Sequence, residues 1–322
     1  MSKSTKKNSA ELAENIKCWN FSGKRKVFYI ISAVLIAVSI LASFLGVDIA
    51  VEFKGGTMIT YSFTGEMNSD AAKSKIESIV NSTVTVQQGD MFQSEKKKLS
   101  ISFVSSEGLT SEKQAELTSA LKETYPDNDL EILESTDVAA SSGRNFFIKC
   151  IVAVIFSAVI LILYIALRFK RISGWSSGIC AVIALVHDVI ITYGAFIIIG
   201  FQINSNFVAV VLTILGCSIN DTIVVYDRIR ENRKLMPDLD VTKLVDISST
   251  QSVTRSFRTT ISTIATMIII SITAAACGVT SILSFSVPII FGMTIGTYSS
   301  LCLAPSLWVS WQNRANKSAK KA

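Results

Sequence analysis

The sequence predicts a helical membrane protein with six transmembrane helices and one α+β domain between the first and the second. Three observations support this fold class. Hydrophobic residues make up 49% of the chain and charged residues 17%, and the mean hydropathy is +0.45. Six apolar segments are long enough to span a bilayer, and a polar stretch separates the first two. The composition therefore excludes an ordinary soluble globular protein.

The six apolar segments cover residues 27–46, 146–167, 176–199, 206–226, 259–278 and 285–308. At a rise of about 1.5 Å per residue, each can cross a hydrocarbon core of about 30 Å. The first is longer than the core of a secretory signal and no clear cleavage site follows it, so we expect an uncleaved anchor. The predicted divisions are an N-terminal tail (1–26), a first span (27–46), a polar domain (47–145), a bundle of five spans (146–308) and a basic C-terminal tail (309–322).

Lysine and arginine residues flank the spans on one side of the predicted bundle. They are Lys3, Lys6, Lys7, Lys17, Lys24, Arg25, Lys26, Arg168, Lys170, Arg171, Arg228, Arg230, Arg233, Lys234, Lys243, Arg314, Lys317, Lys320 and Lys321. The positive-inside rule then places both termini in the cytoplasm and residues 47–145 outside it. Because these basic residues border spans, their expected partner is anionic lipid and not nucleic acid.

Residues 47–145 form the predicted extracytoplasmic domain, with 9 Lys/Arg against 16 Asp/Glu. Alternation and helical periodicity predict the order strand, helix, strand, strand, helix, strand, which is the ferredoxin-like arrangement. The first strand is expected over residues 50–63, with Gly55 and Gly56 as a bulge or kink. We find no catalytic constellation or metal-ligand spacing in the sequence, so we expect no enzyme, no cofactor and no metal site.

One carboxylate falls in the fourth apolar segment. Asp221 lies about 8 Å from the predicted cytoplasmic end of that span. An unpaired charge near mid-bilayer costs about 2.5 to 3.5 kcal/mol, so we expect a partner. Arg255 and Arg258 lie at a similar depth by the fifth span, and an Asp221–Arg255 contact is the simplest pairing. Asp188 lies near mid-depth in the third span and would repel an ionised Asp221.

Further polar residues predict a wettable seam inside the bundle. They are Thr259, Ser262 or Thr263, and Thr266 on the fifth span, and Thr213 and Cys217 on the face of Asp221. Gly292 and Gly296 form a G-x-x-x-G on the sixth span, which allows close helix packing. From these residues alone, a proton-linked carboxylate and a purely structural ion pair are both tenable readings. The single histidine, His187, is expected to be a packed core residue.

Several stretches resemble the SecD/SecF family, namely its SecF-type subunits of bacterial protein translocase, which are half-sized relatives of the resistance-nodulation-division transporters. These stretches are HD at 187–188, SINDTIVVYDRIREN at 218–232, STQSVTR at 249–255, FGMTIGTYSS at 291–300 and VDIAVEFKGGT at 47–57. The resemblance covers nearly the whole chain. Glu52 stands where the family usually has aspartate, so no function is expected of its carboxylate.

The resemblance implies pairing with SecD, docking on the SecYEG channel, and use of the proton-motive force to draw an unfolded polypeptide outward after SecA has pushed it in. It also implies a bacterial cytoplasmic membrane location. The proton-linked aspartate of the family falls on Asp221 and its arginine on Arg255; we include Asp188 and the flanking Asn220 and Thr222 in the proton-linked set.

The residues are compatible with alternatives for one segment and for the function of the whole chain. The segment DRIREN, residues 227–232, is read either as a positive-inside anchor or as a specific contact to SecD or the channel. A solute or lipid exporter of the same superfamily is a rival function, although it would normally carry two such halves and larger outer domains. A passive scaffold of the translocon is the other rival, and in it the Asp221 pair would be structural.

Overall fold

The structure is a computed structural model that describes residues 16, 18–44, 46–90, 96–104, 109–168, 174–277 and 279–319. In chain order its elements are α1 (Arg25–Ser43), α2 (Val51–Lys54), β1 (Gly56–Phe63), α3 (Ser69–Val80), β2 (Val84–Asp90), β3 (Lys97–Phe103), α4 (Ser111–Thr124), a 3-10 turn (Pro126–Asn128), β4 (Glu131–Val138), α5 (Ala140–Arg168), α6 (Gly174–Ile199), α7 (Ser205–Leu235), α8 (Val241–Ala276), α9 (Thr280–Tyr298), a π-helical turn (Ser299–Leu303) and α10 (Ala304–Ala319). Among the predicted flanking basic residues, Lys3, Lys6, Lys7, Lys17, Lys170, Arg171, Lys320 and Lys321 lie outside the described residues.

Within these ranges, six helical stretches are long and apolar enough to cross a membrane. They are α1, α5, α6, α7, α8 and the continuous run Ile282–Ala315, which contains most of α9, the π turn and part of α10. The predicted fold class, a six-span helical protein with a small antiparallel sheet, is confirmed. The large apolar surface on the outside of α1 and α5 is what a lipid-facing helix requires.

Three helices extend further than the apolar segments predict. α7 continues past residue 226 to Leu235, and α8 begins at Val241 instead of 259. These polar extensions stay helical because they bond to each other: the Asn232 side chain donates to Ser248 Oγ at 2.9 Å and to Gln251 Oε1 at 2.9 Å. α10 likewise runs through the predicted tail 309–322 as far as Ala319, and Val309 is fully buried.

The end of the predicted N-terminal tail also packs on the bundle. The Ser22 amide donates to Asp246 Oδ1 at 2.7 Å, and the Trp19 amide donates to Thr250 Oγ1 at 2.9 Å. Both acceptors lie on the polar first part of α8. The residues before α1 therefore hold the same end of the bundle that the α7 and α8 extensions form.

The α+β domain follows the strand and helix order that the sequence predicts. Its four strands form one antiparallel sheet in the order β2-β3-β1-β4, so that β1 lies inside the sheet between β3 and β4. α3 and α4 bury one apolar face each, through Ala72 and Ile76 and through Leu117 and Leu121, against sheet residues such as Ile101. The domain has its own core, separate from the bundle.

The first strand is shorter than predicted. Residues 51–54 form the short helix α2, and β1 begins at Gly56. Gly55 and Gly56 have φ of 84° and 149°, a region that a residue with a Cβ rarely adopts, and they make the sharp change of direction between α2 and β1. The irregular register predicted at these glycines lies instead between Thr60 and Tyr61 of β1.

Two isoleucines of the sheet differ in burial, so their substitution by alanine should lower the free energy of unfolding by different amounts. Ile101→Ala on β3, at 0% exposure, should lower the free energy of unfolding by about 2 to 5 kcal/mol because it leaves a cavity in the core. Ile132→Ala on β4, at 42% exposure, should cost less than about 1 kcal/mol. Pulse proteolysis of the purified full chain measures both, and equal losses would contradict the assignment of the core.

Candidate functional site

A cluster of buried polar side chains lies where α6, α7 and the π turn meet. We call it the Asp188 cluster, and none of its members is more than 3% exposed. It consists of His187, Asp188 and Thr192 on α6, Ser218 and Thr222 on α7, and Ser299 and Ser300 in the π turn. Because polar groups are costly inside an apolar bundle, such a cluster must satisfy its own hydrogen bonds.

Asp188 is the centre of the cluster and is fully buried. Its Oδ2 accepts hydrogen bonds from Ser218 Oγ and from Ser299 Oγ, both at 2.7 Å. Its Oδ1 lies 3.0 Å from His187 Nδ1. His187 Nε2 is buried and has no hydrogen-bond partner among the described residues. The carboxylate therefore joins α6 to α7 and to the π turn.

The π turn brings two consecutive serines to two neighbouring helices. Ser299 bonds to Asp188 on α6, whereas Ser300 accepts from Thr222 Oγ1 at 2.8 Å and donates to the Ser218 carbonyl at 3.0 Å. A π turn is wider than an α turn and is often found at functional sites. Here it lets adjacent residues bond to different helices. Gly296, one turn earlier, leaves space beside the Asp188 carboxylate.

Asp221 lies on the same face of α7, between Ser218 and Thr222. The three residues are spaced i, i+3 and i+4, which places them together on a helix. Asp221 is 7% exposed, and it has neither a hydrogen bond nor an ion pair with any described residue. It therefore contrasts with Asp188, whose oxygens accept hydrogen bonds from two serine side chains and lie 3.0 Å from His187 Nδ1.

The predicted contact between Asp221 and Arg255 is not formed. No ion pair within 4.0 Å joins the two side chains in the described part of the chain, and Arg255 is exposed on α8. Arg258 is exposed as well, and so is Asn220 on α7. Depth alone placed these arginines beside Asp221. Arg255 lies near enough to act electrostatically on the Asp221 carboxylate, but the two groups do not form an ion pair.

The predicted hydroxyl seam on α8 is also not inside the bundle. Thr259, Thr263 and Thr266 donate to carbonyls four residues earlier in their own helix at 3.0 to 3.1 Å, and Thr259, Ser262 and Thr266 are exposed. On α7, Thr213 likewise donates to the Ala209 carbonyl at 2.8 Å. Such hydroxyls satisfy themselves locally and need no polar partner. The interior polar contacts lie instead around Asp188.

Gly292 and Gly296 of α9 both face α7. A Cβ at Gly292 would collide with the Ile214 side chain, and a Cβ at Gly296 would lie 3.2 Å from the Ser218 Cβ. The missing side chains allow α9 to approach the helix that carries Ser218 and Asp221.

The DRIREN segment makes its contacts within the chain. Asp227 pairs with Arg168 at 3.5 Å and with Arg230 at 2.5 Å, which ties the end of α5 to α7. Arg228 Nε donates to Gln251 Oε1 at 2.7 Å, which ties α7 to α8. The segment thus fastens one end of the bundle, a use that neither reading of the sequence anticipated.

Sequence reasoning included Asp188, Asp221 and Thr222 but missed Ser218, Ser299 and Ser300. Two signals could have indicated them: the spacing of Ser218 to Asp221 and Thr222, and two consecutive serines inside an apolar span. Among the described residues, no three His, Cys, Asp or Glu side chains are grouped as metal ligands.

Comparison with known proteins gives consistent matches. Residues 116–314 match the family described as "Protein export membrane protein SecD/SecF, C-terminal". Protein translocase subunit SecF of Petrotoga mobilis is 32% identical over 305 residues, which cover 94% of this chain and 98% of that protein. Protein translocase subunit SecDF of Bacillus subtilis is 30% identical, covering 93% of this chain and 39% of that protein.

The crystal structure of SecDF, a translocon-associated membrane protein from Thermus thermophilus, is similar to this chain with a TM-score of 0.76 and 26% identity. The match covers 92% of this chain and 39% of that one. A super-membrane-facing form of SecDF gives a TM-score of 0.66 at 27% identity, covering 95% of this chain and 40% of that one. This chain therefore spans about two fifths of the SecDF chains that it matches.

The shared acceptor at Asp188 predicts non-additive substitutions. Ser218→Ala and Ser299→Ala should each lower the free energy of unfolding by about 1 to 3 kcal/mol, because each removes a hydrogen bond to a buried carboxylate. The double variant should lose more than the sum, since Oδ2 then has no hydroxyl donor. Equilibrium unfolding in mixed detergent micelles measures the three values.

Ser157→Ala is the matched control, because the Ser157 hydroxyl on α5 bonds to the Ala153 carbonyl of its own helix at 2.8 Å. It should change the free energy of unfolding by less than about 0.5 kcal/mol. The role of Asp188 as the centre of the cluster would be contradicted if Ser218→Ala and Ser299→Ala lowered the free energy of unfolding no more than Ser157→Ala does and if their effects were strictly additive.

Proposed function

This chain belongs to the SecD/SecF family of protein export membrane proteins, and we propose that it works with SecD on the SecYEG channel, where the proton-motive force drives it to draw an unfolded polypeptide outward. The fused SecDF relatives support SecD as the partner, because each carries a region similar to this chain within a longer chain. The substrate is the chain emerging from the channel, and the location is the bacterial cytoplasmic membrane.

The observation that carries this proposal is the state of Asp221. It is a carboxylate on a membrane-spanning helix, it is 7% exposed, and no described residue pairs with it. An unpaired charge costs about 2.5 to 3.5 kcal/mol at mid-bilayer and less toward the interface, so ionising Asp221 costs part of that free energy. A proton removes that cost. If the protonated and the charged carboxyl group favour different arrangements of the helices, the group is suited to couple proton passage to helix movement.

In this proposal Asp221 takes up and releases the proton, and the Asp188 cluster responds. Thr222, the next residue, bonds to Ser300, and Ser300 lies 3.0 Å from the Ser218 carbonyl and 3.4 Å from its hydroxyl. A shift of α7 when Asp221 becomes charged would thus disturb the bonds that hold the π turn and α6. One charge moved through 100 mV supplies about 2.3 kcal/mol, enough to bias a two-state movement.

Arg255 is the proposed partner of the ionised Asp221 in another state of this cycle. Its side chain is exposed on α8 and lies near enough to act electrostatically on Asp221, so a shift of α8 or of the side chain itself would form the pair. Pairing when Asp221 is charged, and separation when it is neutral, would give the two states different helix packing. Asn220, exposed beside Asp221, lies on the side from which water or a partner helix would approach.

We further propose that both termini are cytoplasmic, that the α+β domain is extracytoplasmic, and that anionic lipids bind the basic ends of the spans. No enzymatic reaction and no cofactor belong to this proposal. A solute exporter of the same superfamily is the rival that co-purification tests, because it would bring down neither SecD nor SecYEG. A passive scaffold is the rival that proton dependence tests.

Asp221→Asn should remove the part of polypeptide export that depends on a proton gradient, because the amide cannot take up a proton. The measurement is export into inverted vesicles that contain this chain, SecD, SecYEG and SecA, with and without an imposed gradient. A parallel sodium gradient shows which ion is used. Membrane insertion and association with SecD should be unchanged.

Asp227→Asn is the matched control on the same helix, because Asp227 lies at the polar end of α7 and pairs with Arg168 and Arg230. It should leave the gradient-dependent part intact. If Asp221→Asn exports like the unsubstituted chain, the motor proposal is wrong and the passive scaffold is favoured.

A further inference from the structure

The segment between α1 and β1 is bound to the loop between α6 and α7. The Ala50 amide donates to the Ile203 carbonyl at 3.0 Å, and the Ile203 amide donates to the Asp48 carbonyl at 2.8 Å. Ile49 and Ile203 are thus neighbours in a short parallel pairing. Residues on both sides of this pairing add side-chain bonds, and together they form a joint between the α+β domain and the bundle.

Glu52 makes the bond that reaches α7 itself. Its Oε2 accepts a hydrogen bond from the amide of Ser205, the first residue of α7, at 2.8 Å. The first amides of a helix have no partner within the helix, and the positive end of the helix dipole favours a carboxylate there. No function is expected of the Glu52 carboxylate from the sequence, but in the structure it bonds to the start of the helix that carries Asp221.

Asp48 bonds to both sides of the joint. Its Oδ2 accepts from Gln202 Nε2 at 2.8 Å, on the α6–α7 loop, and from Thr85 Oγ1 at 3.4 Å, on β2 of the domain. On the other side of α2, the Phe53 ring stacks on Phe146 of α5 with centroids 5.5 Å apart. The segment between α1 and β1 therefore contacts the sheet, the α6–α7 loop and α5.

The joint gives the start of α7 a direct contact with the segment that enters the domain. The chain enters the domain from α1 and leaves it into α5. α7, which carries Asp221, has no direct covalent connection to the domain. From Ser205 to Asp221 the helix is about 24 Å long and continuous, so displacement at one end is carried to the other.

We propose that Asp48, Ala50 and Glu52 form a fixed mechanical link through which α7 moves the α+β domain. This inference rests on the proposed function for what drives α7. The link itself is a positioning device: its residues touch no substrate, and they act by keeping the domain and the start of α7 together throughout the cycle.

Two substitutions weaken the link with little other change. Glu52→Ala removes the acceptor of the Ser205 amide. Ala50→Pro removes the donor to the Ile203 carbonyl, and Ala50 already has a φ of −62°, which a proline ring requires. Glu52→Gln keeps an acceptor oxygen and serves as the conservative variant. Glu112→Ala is the matched control. Glu112 lies in the first turn of α4, as Glu52 lies in the first turn of α2, but it is exposed on the domain.

The direct measurement is the distribution of distances between spin labels at Lys75→Cys on α3 and Leu212→Cys on α7, in the full chain assembled with SecD and with its native cysteines replaced. Both labelled positions are exposed. Glu52→Ala and Ala50→Pro should broaden the distribution, whereas Glu52→Gln and Glu112→Ala should not. An unchanged width in both weakened variants would overturn the link, whatever export does.

Export in the same vesicles then separates this link from the motor. Glu52→Ala should lose the gradient-dependent part of export and keep the part that SecA drives alone. A gradient-dependent part that survives in a variant with a broadened distribution would also overturn the link. Failure of the unsubstituted chain to respond to a gradient would instead overturn the proposed function, and the distance measurement would still decide on the link.

A covalent replacement tests whether the link is fixed. Parallel neighbours in a strand pairing lie about 4.8 Å apart, within the Cα range of about 4.4 to 6.8 Å that a disulfide accepts. Ile49→Cys with Ile203→Cys should therefore restore the narrow distribution and export to Glu52→Ala after oxidation, and a reductant should abolish both. A disulfide that forms but blocks export would show that the joint must open, which contradicts a fixed link.

Discussion

The burial of the Asp188 carboxylate is the constraint on which the membrane bundle depends. A charged or polar group in an apolar interior is tolerated only when hydrogen-bond donors surround it. Ser218 and Ser299 supply two donors from two different elements, and His187 lies against the other oxygen. The Asp188 side chain therefore bonds to α7 and to the π turn at once, and it connects both to α6.

The π turn and the glycines of α9 are consequences of the same requirement. For hydroxyls of the sixth span to reach both α6 and α7, Ser299 and Ser300 must point in different directions. The span must also lie close to both helices. The wider π turn directs the two hydroxyls to different helices, and Gly292 and Gly296 allow the close approach. A regular helix with larger residues would leave Asp188 short of a donor.

Two aspartates in neighbouring spans thus have opposite environments. Asp188 is surrounded by donors, so its surroundings favour one arrangement of the helices. Asp221 is nearly as buried and accepts no hydrogen bond from any described residue. The same helix that carries Asp221 begins at the Glu52 carboxylate. One rigid element therefore connects the membrane interior to the α+β domain.

The sequence alone determined the six spans and the strand and helix order of the domain, and it singled out Asp188, Asp221 and Thr222. Composition and periodicity report on local requirements, such as burial in lipid or alternation across a sheet, and these survive into the fold. The ends of α7, α8 and α10 were not determined, because polar extensions are held by contacts between separate helices, such as that of Asn232 with Ser248.

Tertiary structure alone decided which polar residues meet. Depth along a span is readable from the sequence, but the rotation of a helix about its axis is set by packing against all its neighbours. For that reason Ser299 is fully buried, whereas Arg255 is exposed. The pairing of Glu52 with Ser205 likewise joins residues separated by a whole domain, and only the folded chain brings them together.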